Sequence, residues 1–112
     1  MKKEFIIKQV NKDRDLYLVD TYYQKMDETH FAYFDLDSDD AMRFASMKAA
    51  VKLFWRMFLL DDACTEYWEF SGHNTFHNSP YYFRIVQVEP ETEKELEVYD
   101  YERIKSYRAT IK

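Results

Sequence analysis

The chain carries one glycine, Gly72, in 112 residues. Average usage would supply about eight. Loops that cradle phosphates need several closely spaced glycines, because only glycine lets the backbone approach that tightly. P-loop NTPases and dinucleotide-binding Rossmann folds are excluded on this ground, as are collagen-like chains and flexible linkers. The Gly-x-Ser-x-Gly elbow of serine hydrolases is absent too.

Length and composition point to one globular domain over residues 1–112. Apolar residues make up 46% and charged residues 33%, a balance that favours a packed core over disorder. The basic start, Met-Lys-Lys, is followed only by Phe5-Ile6-Ile7, too short for a signal-peptide core. No apolar run exceeds four residues, the length of Met57 to Leu60, so no membrane span is expected. Cys64 is the sole cysteine and allows no internal disulfide. The expected location is the cytoplasm.

The most regular segment begins at Met47. Around Phe54, the residues Met47, Ala50, Val51, Met57 and Phe58 share one face at helical spacing, and Lys48, Lys52 and Arg56 form a basic stripe opposite. Ser46 is a good N-cap. Trp55 and Leu59 lie between the two faces and need cover, expected from residues 61–83. Before this helix, Lys3–Val10 and Leu16–Tyr22 read as a β-hairpin across a polar joint, and His30–Asp35 as a third strand. Asp37 or Ser38 caps a short predicted helix running to Arg43. Residues 65–70 look extended, turns are expected at 71–74 and 78–80, and Tyr81–Glu89 alternates like a strand. In residues 91–112, Val98, Tyr101, Ile104, Tyr107 and Ile111 fit a helix from about Tyr99. Leu96-Glu97-Val98 also alternates like a strand, but the helix from about Tyr99 is the preferred reading. The expected architecture is α+β: an antiparallel sheet of about four strands against one main helix, with a C-terminal helix left open.

Charge is uneven along the chain. Residues 80–102 hold seven acids against Arg84 and Lys94, whereas the basic groups form only a narrow helix stripe and a short tail. Nucleic acid demands a continuous basic face, so direct binding is not expected. The acidic segments suit a partner with a basic groove.

No residue cluster spells out catalysis. Asp35-x-Asp37-x-Asp39 opens like a calcium loop, but Asp40 stands where glycine is required and Ser46 where a bidentate glutamate is required. His73 and His77 are four apart, but no second spaced pair completes a zinc site with Cys64 or Glu66. Acidic neighbours would raise the Cys64 thiol pKa rather than activate it. No catalytic residue, metal or cofactor is expected. The densest signal is aromatic: Tyr67, Trp68, Phe70, Phe76, Tyr81, Tyr82 and Phe83 fall within seventeen residues. Alternation along a strand sends Tyr81 and Phe83 one way and Tyr82 and Arg84 the other, so one set faces away from the core.

Ala41, Phe44, Ser46 and Ala50, following Leu16-Tyr17-Leu18-Val19 and preceding a return strand at Phe83-Arg84-Ile85-Val86, form a layout. It resembles small uncharacterised accessory proteins of bacteriophages and prophages of Gram-positive bacteria. The resemblance implies a protein of the bacterial cytoplasm that binds and blocks a host protein, defence nucleases included. The four residues are structural, so no site carries over, and the aromatic 61–80 segment departs from the layout. The expected binding residues are Glu66, Tyr67, Trp68, Glu69, Tyr81 and Tyr82, facing a host protein with a basic nucleic-acid-binding groove. In the second reading, a homo-oligomer is seamed by Trp55 and Leu59.

Overall fold

A computed structural model describes residues 3–60, 65–72 and 79–111. The stripe around Phe54 becomes helix α1 (Met47–Met57), burying Met47, Ala50, Val51, Phe54 and Met57. Ser46 Oγ accepts from the Ala49 N–H at 3.1 Å and caps its first turn. The helix ends in a Schellman motif: the Leu60 N–H bonds the Trp55 carbonyl and the Leu59 N–H that of Arg56. The motif needs a left-handed residue, and Leu59 fills it at φ 53° where glycine is usual.

Among the described residues the sheet has six strands rather than four: β1 (Glu4–Gln9), β2 (Leu16–Gln24), β3 (Thr29–Asp35), β4 (Tyr67–Gly72), β5 (Phe83–Glu89) and β6 (Lys94–Tyr99). Their order is β4-β3-β2-β1-β5-β6. All neighbours run antiparallel except β3 and β4, which are parallel. The two extra strands are the edges. β1 and β5 are the most deeply buried strands because they are central and covered on both faces.

The hairpin forms, but β1 and β2 keep only the pairs Lys8–Tyr17 and Gln9–Leu16 before they diverge. Ala41–Phe44 enters the gap. Phe44 exchanges two backbone hydrogen bonds with Phe5, and the Met42 N–H bonds the Leu18 carbonyl at 2.8 Å. The helix predicted up to Arg43 is therefore only one 3-10 turn, Ser38–Asp40, capped by Asp37. Satisfying the backbone groups left open between diverging strands outweighs local helix signals.

The strand expected from Tyr81 starts at Phe83, since Pro80–Tyr82 form a 3-10 turn capped by Ser79. The two patterns in residues 91–112 belong to successive pieces, β6 and then helix α2 (Tyr101–Thr110), with Asp100 as N-cap. One face of the sheet meets α1 and α2 over a core in which Phe34, Phe54, Phe58, Phe70 and Phe83 contact one another at ring centroid distances of 4.7–5.6 Å. Phe5 is buried in the same core, and Phe44 packs against it. Among the described residues, no helix is long and apolar enough to cross a membrane.

Candidate functional site

β4 separates its side chains by alternation. Trp68 and Phe70 turn to the α1 side, and Tyr67 and Glu69 turn to the open face. On the α1 side, the His30 ring stacks on Trp68 at 4.8 Å and contacts Tyr23 at 4.7 Å. Glu66 lies at the end of this stack. It accepts from Arg56 Nε at 2.9 Å and from the second guanidinium nitrogen at 2.8 Å. Trp68 Nε1 donates to it at 3.2 Å, and His30 Nε2 lies 3.4 Å away.

The Arg56 hydrogen bonds, helped by Trp68, outweigh partial burial and lower the Glu66 pKa to about 2. A carboxylate depressed in this way stabilises the fold above its unfolded pKa of about 4.3, and that contribution fades as pH falls through about 2. The pair is partly solvated, so its worth is about 1 kcal/mol or less. Denaturation with urea should show wild type above Glu66→Gln by that amount at neutral pH. The gap should close in acid. A gap that stays constant down to low pH would remove the ion pair as its cause.

The open face carries aromatics from outside the dense Tyr67–Phe83 segment. Tyr22 stacks on Phe31 with centroids 5.0 Å apart and planes 15° from parallel. Tyr33 lies one alternation further along β3, opposite Asp20. Tyr22, Tyr33 and Tyr67 are 47%, 38% and 58% exposed. Their signal was present as period two: Ala32 and Phe34 point into the core, which puts Phe31 and Tyr33 outside. Asp20 and Glu69 are exposed on this same face.

At the border of the sheet, a cleft of about 420 Å³ lies between the end of α1 (Met57 to Leu59) and β4 (Tyr67 to Phe70). Leu59 is 45% exposed at its rim.

The residues expected to bind a partner divide into separate places. Tyr67, Trp68, Glu66 and Glu69 gather at β4. Tyr81 and Tyr82 precede β5, which three other strands separate from β4. Because they sit in a 3-10 turn, the strand alternation assigned to them does not hold. The Tyr81 ring packs edge-on against Tyr101 of α2 at 4.9 Å, and the Tyr82 carbonyl accepts from the Val10 N–H at 2.7 Å. Both tyrosines stay exposed. Trp55 is covered from α2, by Arg108 over its ring at 5.5 Å and by Tyr101; residues 61–64 and 73–78 of the segment expected to shield it lie outside the described residues.

Cys64, His73, Phe76 and His77 lie outside the described residues. Among the described ones, no three His, Cys, Asp or Glu side chains gather as a metal-binding group. No family model, curated protein or solved structure matches this chain.

Proposed function

We propose that the chain is a protein-binding accessory protein with no catalytic step, working through the open face of β2, β3 and β4. The supporting observation is the exposed tyrosines Tyr22, Tyr33 and Tyr67 on one face of the sheet, with half-buried Phe31 stacked on Tyr22. Aromatic side chains are enriched where proteins meet, because a large ring gains contact area while few rotamers are frozen. Asp20 and Glu69 beside them favour a basic partner surface and oppose nucleic-acid phosphates. In the phage setting the resemblance implies, that partner is a host protein with a basic nucleic-acid-binding groove, and occupancy inhibits it.

Tagged wild type and the double variant Tyr22→Ser/Tyr33→Ser are to be compared for retention of proteins from a Gram-positive host lysate. Circular dichroism verifies the variant's fold. The reading expects a partner that wild type retains at low salt and releases at high salt, and that the variant binds at least tenfold more weakly, about 1.4 kcal/mol. Equal retention by both proteins, or no specific partner, overturns it.

A further inference from the structure

Among the described residues, β4 is the outermost strand on one side of the sheet. An edge strand turns the N–H and C=O of every second residue outward, and among the described residues no strand takes up those of β4. Proteins usually blunt such edges with charge, proline or bulges. The opposite edge, β6, is blunted. It carries Lys94, Glu95 and Glu97, its ladder to β5 shifts register between Gln87 and Val88, and Arg103 donates to the Val98 carbonyl at 2.9 Å. β4 has one charged residue, Glu69, has no proline or lysine, and keeps an unbroken ladder to β3.

A cleft whose lining includes Leu59, Trp68 and Phe70 runs beside this edge. A strand added to β4 would place alternate side chains over the cleft, next to Trp68, Phe70 and Leu59. Its intervening side chains would fall on the open face next to Tyr67 and Glu69. Glu69 is exposed and forms no ion pair among the described residues. It therefore selects a cation in the incoming strand. A second copy of this chain, joined through the same strand, would bring another glutamate where the site favours a positive charge.

We infer that the β4 edge is a strand-addition site for an extended segment of a partner protein. That segment carries apolar side chains at alternate positions, with lysine or arginine between them. The inference rests on the protein-binding reading and assigns the edge of β4 as the place where the partner's backbone engages.

The probe is a short acetylated peptide of alternating valine and lysine, titrated into the isotope-labelled full chain and followed by NMR. Amide shifts and slowed hydrogen exchange are expected at Tyr67–Gly72, with contacts from valine methyls to Trp68 and Leu59. A valine–glutamate peptide should bind roughly tenfold more weakly at low salt, and Glu69→Lys should reverse that preference. Since Glu69 is exposed, the variant keeps the fold. Backbone N-methylation of the valine–lysine peptide should abolish binding. Absence of binding, indifference to peptide charge, or concentration-dependent shifts at β4 without peptide (a second copy as occupant) would each overturn the inference. Shifts confined to Tyr22, Phe31 and Tyr33 would overturn it too, while leaving the open-face reading standing.

Discussion

Phe54→Ala should lower unfolding free energy by about 3–5 kcal/mol, the range for truncating a fully buried phenylalanine. Phe54 is 0% exposed and lies at the centre of the α1 stripe. Its ring meets Phe58 at 4.8 Å and Tyr101 of α2 at 6.3 Å. Truncation opens a cavity where α1, α2 and the sheet meet, and rigid aromatic neighbours collapse into such a space poorly. Domains of this size are stable by roughly 5–15 kcal/mol, so the loss is a large share of the total. A urea titration should show the midpoint falling with little change in slope. Phe54→Leu, which keeps much of the volume, should lose less. A cost below about 1 kcal/mol for the alanine variant would mean that the ring is not buried as described.

Gly72→Ala is the second large effect, and its origin is backbone rather than core. Gly72 has φ 103°, a region that side chains disfavour. A Cβ built there would stand 2.1 Å from the Phe34 carbonyl oxygen and 2.9 Å from the Phe34 nitrogen. Neither atom belongs to a side chain that can swing aside, so β4 has to move away from β3. Strain and lost pairing together should cost about 2–4 kcal/mol. In a Trp55→Phe background, Trp68 becomes the sole tryptophan and reports on β4 through its contact with His30. Its fluorescence should change in the Gly72→Ala variant before the helices melt. The same variant should lose the β4 peptide site. Fluorescence and urea midpoint both matching the Gly72 parent would show that the close approach is not present in solution.

The sequence foretold what local patterning controls. The α1 stripe, its Ser46 cap, the first three strands and the return strand at β5 all carry a clear period. The edges were harder to read. β6 is exposed at nearly every position, so Lys94–Tyr99 has no inward set of side chains to reveal it as a strand. In β4, aromatics face both ways, which hides the alternation, and a parallel partner has no turn signal. The Ala41–Phe44 insertion was invisible because it answers a gap between strands made elsewhere in the chain. At the candidate site, aromatic density points to Tyr67 and Trp68, whereas Tyr22, Phe31 and Tyr33 sit in strands whose local pattern marks them only as framework. Which aromatics meet water depends on where the helices lie, and that is a tertiary fact.

β1 forms two-strand ladders or bridges with segments far apart in sequence. Phe5 is bonded to Phe44 on one side and paired with Gln87 on the other. A growing chain on the ribosome can form α1 and the β2–β3 pair early, but it cannot seat its own first strand until Phe83–Glu89 has left the exit tunnel. Until then β1 has only its short ladder to β2 and the Phe5–Phe44 bridge, and the edge that Phe5, Ile6 and Ile7 present to β5 stays open. This places the completion of β1's pairing among the last steps of folding, and leaves its apolar edge as a surface that chaperones or aggregation partners can meet meanwhile.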